Sequence, residues 1–367
     1  MPSKKRSLLA ASGSGGEDEG LFSWGLNGGG QLGLGSTTQY SYPVQVGALT
    51  TWASVSLSSF ALSVKDDGTL WAVGGGSQGR LGLGNTTGYS SFVQVGALTT
   101  WATPSAYGAS SLVVKNDGTA WSWGFNHLGQ LGIGNTTAYS SPKQIGALTT
   151  WSKPASGGSF KGSIKTDGTL WMWGYNGLGT CGLGNATNRS SPTQVGALTT
   201  WSKLSCGDLH TMAIKNDGTL WTWGWNTKGE LGDGTKTTRS SPVQVGALTT
   251  WAQVSGGQKF TVAVKTDGTL WAWGMNNNGQ LGQGNTTYFS SPVQVGTLTD
   301  WAMPSAGRYS VSVVKTDGTL WAIGKNANGQ LGDGTTTVRS SPVQVGSGTN
   351  WTSTSGGARS TMGIRAT

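Results

Sequence analysis

Apolar and polar positions alternate over runs of five or six residues, and glycine-rich turns separate the runs. In "HTMAIKNDGTLWTWG", His210 to Gly224, the second run places Trp221 and Trp223 on one face and Leu220 and Thr222 on the other. Both runs read as strands, and Asp217-Gly218 lies between them. The same pair recurs at Asp67-Gly68, Asp117-Gly118, Asp167-Gly168, Asp267-Gly268 and Asp317-Gly318. Asp-Gly suits a two-residue hairpin in which both central residues need φ > 0. "SPVQV" adds a short strand with Pro at its first position, where no ladder donor is lost. No stretch carries a helical period of useful length.

The pattern repeats. Trp52, Trp101, Trp151, Trp201, Trp251, Trp301 and Trp351 are separated by 49 residues once and by 50 five times, so the unit occurs seven times. Several short strands per unit predict an all-β, seven-bladed β-propeller rather than an open solenoid. The last copy stops at "MGIRAT", which aligns with "VAVKTD", while "EGLFSWG" near the start aligns with "GTLWAWG" just after the turn. The two ends thus supply complementary strands of one unit. Met362 to Arg365 are expected to pair with Leu21 to Trp24 and close the ring. The domain reading is a flexible N-terminal arm over residues 1–20 and a propeller over residues 21–367.

Composition supports a packed fold. The chain of 367 residues has 63 Gly and only 11% charged residues, but its 19 Trp exclude a disordered chain, which buries nothing. The two cysteines form no CxxC pair, and Cys181 stands where other copies carry Leu, so it reads as a small buried hydrophobe. No apolar run approaches membrane-span length, and "LLAA" near the N-terminus is shorter than a signal-peptide core, so the N-terminus reads as uncleaved.

"GWNTKGELGDG", "GFNHLGQLGIG" and "GMNNNGQLGQG" resemble the glycine-asparagine signature of the regulator of chromosome condensation repeat family. "LSCGDLHTMAI", Leu204 to Ile214, is similar to its second signature, although the His slot is filled only by His210; the aligned positions carry Ser110, Phe160, Phe260, Ser310 and Ser360. The resemblance runs from Leu21 onward and implies a seven-bladed propeller. The eukaryotic namesake activates a small GTPase and binds nucleosomes, through loops and a tail without a residue-by-residue match here. Other members resemble binding scaffolds, including a bacterial β-lactamase inhibitory propeller and repeats of phage virion proteins.

No catalytic constellation stands out. His127 and His210 are the only histidines, without an HExxH, GxSxG or phosphate-loop pattern around them. Both read as structural. Asp233 and Asp333 in "GDGT" lack the further carboxylates of a calcium loop and read as turn residues. No cofactor and no metal are expected, and the chain reads as non-enzymatic. A net charge of +9 comes largely from one repeated position, Lys65, Lys115, Lys165, Lys215, Lys265, Lys315 and Arg365. Such a ring could bind an acidic polymer, but each Lys is expected beside the Asp of its own hairpin in solvent, which makes nucleic acid a secondary expectation.

The copies differ in two rows. After "WG" stand Leu26, Gly75, Phe125, Tyr175, Trp225, Met275 and Lys325; before "SS" or "SY" stand Tyr40, Tyr89, Tyr139, Arg189, Arg239, Phe289 and Arg339. Aromatic residues and Arg are enriched at interfaces, and loops on a rigid scaffold commonly carry function. The candidate partner-binding ring is therefore Phe125, Tyr175, Trp225, Met275 and Lys325 together with Tyr40, Tyr89, Tyr139, Arg189, Arg239, Phe289 and Arg339. The expected function is a binding or structural module of a phage or bacterial assembly: a virion surface, decoration or tail protein. The alternatives are a secreted or surface lectin or inhibitor, with a glycan ligand, and a regulator of a GTPase or of chromatin. The expected setting is the virion or cytoplasm, or the extracellular surface if the chain belongs to a virion. The arm reads as a docking element, with Lys4, Lys5 and Arg6 facing an acidic surface and Leu8 and Leu9 an apolar groove. Deleting residues 2–16 is expected to leave the melting temperature unchanged and to abolish incorporation into the parent assembly; normal incorporation would refute the docking role.

Overall fold

The computed structural model describes residues 20–48 and 51–366, and the docking-arm residues lie outside that range. Seven four-stranded antiparallel sheets surround a central axis. In blade 4 the strands run from the axis outward as a, Trp201–Cys206; b, His210–Lys215; c, Leu220–Gly224; and d, Arg239–Gln244. Blades 1 to 6 start at Trp52, Trp101, Trp151, Trp201, Trp251 and Trp301. Blade 7 is shared between the chain ends: Trp351–Gly356 and Ser360–Arg365 supply strands a and b, and Gly20–Gly25 and Tyr40–Gln45 supply c and d.

The latch pairs Gly20 with Arg365, Leu21 with Ile364, Ser23 with Met362 and Gly25 with Ser360. The expected segments meet, one residue out of the anticipated alignment. Each a strand packs against the next around the axis, and the ring closes where Leu57 N–H donates to Ser355 Oγ at 2.9 Å. Equivalent bonds link Ala106 N–H to Ser56 Oγ and Ala306 N–H to Ser255 Oγ. The outermost strands are also covered. The c–d loop of each blade reaches over the next d strand, where Gly184 N–H donates to Ser240 O and Gly334 N–H to Ser41 O, both at 2.8 Å. Exposed ladder edges invite pairing with other chains, so this covering matters.

Two local expectations need correction. At the b–c hairpins only the glycine has positive φ, +77° at Gly218, and Asp217 does not. Gly218 N–H bonds Lys215 O and Lys215 N–H bonds Thr219 O, so Asn216-Asp217-Gly218 form a three-residue loop with the glycine left-handed. The aspartate is needed for its side chain: Asp217 Oδ1 accepts from Thr219 N (2.9 Å) and Oγ1 (2.7 Å), and Thr219 Oγ1 accepts from Trp221 Nε1 (2.9 Å). The other correction concerns Pro242, which lies inside strand d rather than at its start. The pairing slips between Thr222–Val243 and Gly224–Arg239, so the residue without an N–H falls in a bulge.

The core lies between blades. Trp24, Trp123, Trp173, Trp223 and Trp273 on strands c are fully buried. Each indole Nε1 donates to a carbonyl of the preceding blade: Gln330, Arg80, Gln130, Thr180 and Glu230, at 2.9–3.1 Å. Four of those carbonyls, of Arg80, Thr180, Glu230 and Gln330, accept a second bond at 2.8 Å from Ser111, Thr211, Thr261 and Thr361 on the next strand b. The glycine-rich motif serves this contact. At Gly182 (φ +69°) a Cβ would stand 2.8 Å from Trp223 Nε1. The motif's asparagine orders the loop: buried Asn226 accepts from Leu231 N through Oδ1 and donates to Thr237 O through Nδ2. Cys181 is buried, as its repeat position implied.

Removing residues 356–367 takes strand b out of blade 7 and uncovers both neighbours. Thermal unfolding by circular dichroism is expected to lose its cooperative transition or to shift down by well over about 10 °C. A truncated chain that melts within a few degrees of the intact one would contradict closure through the latch.

Candidate functional site

Strand direction sorts the connections onto two faces. The b–c hairpins and the d–a connections lie on one, here the hairpin face; the a–b turns and the long c–d loops lie on the other, the loop face. All twelve candidate partner-binding positions lie at the loop-face end of the blades, in two rows. Phe125, Tyr175, Trp225, Met275 and Lys325 form the inner row, and each backbone N–H bonds the carbonyl of its own a–b turn at 2.8–3.0 Å. Tyr40, Tyr89, Tyr139, Arg189, Arg239, Phe289 and Arg339 begin the d strands opposite the last glycine of strand c.

Their environments differ. Met275 is buried, Phe289 packs against two hydrophobic clusters, and Tyr89 and Tyr175 each pack against one. Arg239 and Arg339 bridge to Asp233 and Asp333 at 3.1 and 2.8 Å, and those aspartates also accept from Thr235 and Thr335 within their turns. Trp225 is different. Of the 19 Trp, seven start the a strands, six sit early in c and five are the buried c-strand indoles, which leaves Trp225 outside the framework. It is half-buried, it bonds Thr227 Oγ1, and Lys259 Nζ lies 5.9 Å from its ring.

The residues next to Trp225 form a cluster that the repeat pattern hid. The a–b turns bond to one another around the axis, as in Gly158 N to Asp208 O, Asp208 N to Gly257 O and Arg308 N to Gly357 O. With its amide oriented to satisfy its neighbours, Gln258 on this collar accepts through its oxygen from Arg308 Nε (3.1 Å) and Nη2 (2.9 Å) and donates through its nitrogen to Tyr309 Oη at 2.6 Å. Arg308 and Lys325 flank the Tyr309 ring at 5.3 and 5.2 Å. Burial pushes the Asp208 carboxyl up, with Gln258, Arg308 and Lys259 opposing it, and burial together with the charge of Asp208 pushes the Tyr107 hydroxyl up. Blades 2, 4, 5 and 6 thus bring Tyr107, Asp208, Gln258, Arg308 and Tyr309 together. The available signal was that the a–b turn differs between copies: "GGS", "GDL", "GQK" and "GRY".

The repeated lysines lie on the hairpin face, and their environment corrects the expectation. They remain within electrostatic reach of the aspartates of their own hairpins, whose carboxyls the threonine bonds lower and the lysines lower further, but they lie over indoles rather than free in solvent. Lys215 Nζ sits 3.8 Å from the Trp221 ring centroid and 5.2 Å from that of Trp201, Lys65 does the same with Trp71 and Trp52, and Arg365 covers Trp351 and Phe22. A cation over an indole gains about 0.5–2 kcal/mol, so these residues are largely structural. The histidines are engaged as well: His210 Nε2 lies 3.1 Å from Thr261 Oγ1, burial lowers the imidazole to about 4, and His127 stacks on Phe125. Among the described residues no group of three His, Cys, Asp or Glu gathers to hold a metal, and no helix is long and apolar enough to cross a membrane.

The sequence profile of the regulator of chromosome condensation (RCC1) repeat matches residues 18–60, 117–161, 167–214, 217–264, 267–314 and 317–364. The chain belongs to the RCC1 repeat family. A second profile of the same repeat matches residues 201–230 and 251–280. No curated protein sequence matches the chain. Among solved structures, human WBSCR16 superposes with a TM-score of 0.85 at 20% identity, over 95% of this chain and 98% of that one. Prp20p from Saccharomyces cerevisiae, described with its binding to Gsp1p and histones, gives 0.83 at 16% identity over 95% and 92%. Yeast RCC1 (Prp20) bound to Kap60 gives 0.82 at 14% over 100% and 97%. These likenesses concern the RCC1 propeller fold.

One loop-face group is poised to respond to pH. Glu230 occupies the slot held by Gln31, Gln130, Gln280 and Gln330. Its Oε2 accepts from Lys228 N at 2.7 Å, its Oε1 is buried without a partner among the described residues, and burial raises the carboxyl to about 7. A carboxyl that holds its proton more tightly when folded loses stability as pH rises from its ordinary value of 4.5 toward 7, and nothing further is lost above that. Glu230→Gln is expected to abolish this slope and to stabilise the protein at pH 8 by up to about 3 kcal/mol. Urea unfolding at pH 5 and pH 8 measures it, and equal effects at the two pH values would contradict the assignment.

Proposed function

We propose that this RCC1-repeat propeller is a non-enzymatic binding module that joins a larger protein assembly through its loop face. The observation that carries the reading is the gathering there of Trp225, Lys259, Arg308, Tyr309 and Lys325 on turns held by the closed ring. Trp, Tyr and Arg on a rigid support are the residue types that dominate protein interfaces. Lys228 and Lys236 rise from the neighbouring c–d loop, and two of the acidic groups on this face, Asp233 and Asp333, are already tied to arginines. The surface therefore suits a partner with acidic groups set among apolar ones. A phage or bacterial assembly is the setting we propose, as a virion surface, decoration or tail component.

A second reading, a regulator of a small GTPase or of chromatin, draws on the likeness to Prp20p. That likeness is one of fold at 16% identity, whereas the assembly reading rests on the chain's own surface. A lectin-type role would use Trp225 as a stacking platform for a sugar ring.

Trp225→Ala, Lys259→Ala and Arg308→Ala each are expected to keep the melting temperature within a few degrees and to weaken association with the native assembly about 10- to 100-fold. Co-sedimentation of purified variants with that assembly measures the effect, with Lys143→Ala on an outer strand as control. Unchanged association in all three would remove the loop face from the interface. Loss of binding on a glycan array in Trp225→Ala alone would favour the lectin, and nucleotide exchange on a small GTPase would favour the regulator.

A further inference from the structure

The hairpin face carries a repeated feature unconnected with the loop-face interface. Leu98, Leu148, Leu198, Leu248 and Leu298 stand 45–48% exposed at the d–a connections. A solvent-exposed leucine at the same place in successive copies is not accounted for by packing. Beside Leu198 opens a cleft of about 420 Å³ between blades 3 and 4, walled by Leu183, Val195, Trp201, Trp221 and Pro242. The cleft beside Leu248 measures about 310 Å³ and shares this construction, and the one at Trp52 and Trp71 measures about 530 Å³, with Phe92 in place of the proline and its described lining without a d–a leucine.

In these three clefts the wall includes one ammonium: Lys215, Lys265 or Lys65. Each lies over its two indoles, and among the described residues none of the three forms an ion pair. Blade 6 shows what the ammonium accepts. There Lys315 Nζ meets Asp300 Oδ2 at 3.2 Å, and Asp300 holds the place of Thr51, Thr100, Thr150, Thr200 and Thr250 in blades 1 to 5 and of Asn350 in blade 7. Asp300 is 40% exposed on its side chain, so its carboxylate approaches from the solvent side. The chain itself thus fills in one blade a carboxylate position that stays open in others.

We propose that these clefts bind acidic–apolar peptide segments of a protein partner, with a carboxylate on the lysine ammonium and an aliphatic or aromatic side chain in the cleft beside the exposed leucine. Charge fixes the class of ligand. The hairpin aspartates Asp167, Asp217 and Asp267 crown the same face, so a nucleic acid or an anionic membrane meets repulsion there that one peptide carboxylate beside a lysine avoids. Repetition around the ring adds a second property: a partner carrying several such segments on a flexible chain binds more tightly than any single segment, through effective concentration.

The test titrates the full-length protein with the peptide acetyl-Asp-Leu-Asp-Leu-amide, followed by tryptophan fluorescence and calorimetry. Acetyl-Asn-Leu-Asn-Leu-amide is the matched control, expected to bind about tenfold more weakly. Thr200→Asp copies the Asp300 arrangement and should remove one binding site, whereas Asp300→Thr frees Lys315 and should add one. The two variants bracket the wild type, so a folding defect in one leaves the other decisive. Four peptide copies joined by glycine-serine linkers should bind more tightly than one. Equal binding of the Asn peptide, or an unchanged number of sites in both variants, would overturn the proposal. Binding of phosphatidylserine vesicles in place of the peptide would overturn it too.

Discussion

The bond from a buried indole to the carbonyl of the preceding blade is the contact on which this structure depends. A propeller blade presents two large faces and covers neither alone. In five of the seven blades a buried c-strand indole fills this boundary, with Val73 and Ile323 in the other two, and the indole Nε1, costly to bury unpaired, finds a carbonyl of the preceding blade. That carbonyl comes from the glycine-rich loop, and a glycine two residues on lets the loop lie against the ring. Glycine abundance and tryptophan abundance are thus two sides of one contact. Truncating one such indole to alanine removes both the ring and the bond, a loss of about 3–5 kcal/mol for core aromatics.

The rest of the repeat supports that contact. Asp, Thr and Trp in each hairpin form a relay that fixes the early c-strand indole, the hairpin lysine covers the same ring, and the loop asparagine shapes the approach of the glycines. Strand order then does something the repeat itself does not specify. It sends nearly identical hairpins to one face and divergent turns to the other. The uniform face offers repeated clefts, and the divergent face offers one cluster drawn from several blades.

Much of the fold was legible because the period is nearly constant and the chain ends are complementary fragments of one unit. The latch followed from aligning "EGLFSWG" and "MGIRAT" with internal copies, to within one residue of register. The hairpin loop was misread because Asp-Gly suits both a two-residue turn and a three-residue loop, and only the bonds of Asp217 and Gly218 separate them. The lysine environment was hidden because one indole over Lys215 comes from strand a, fourteen residues earlier in the chain, and the other from strand c. The collar of Tyr107, Asp208, Gln258, Arg308 and Tyr309 was invisible in sequence, since ring geometry rather than proximity along the chain assembles it.

Two glycines isolate the central contact. Gly182 (φ +69°) and Gly196 (φ +60°) have similar left-handed backbones, so alanine strains both alike. At Gly196 the added Cβ meets nothing within 4 Å, while at Gly182 it stands 2.8 Å from Trp223 Nε1. The most direct measurement is the unfolding free energy of Gly182→Ala against Gly196→Ala by urea denaturation. Dependence on the interblade indole predicts that Gly182→Ala costs about 1–3 kcal/mol more, within a single cooperative transition. Equal costs for the two substitutions would contradict it.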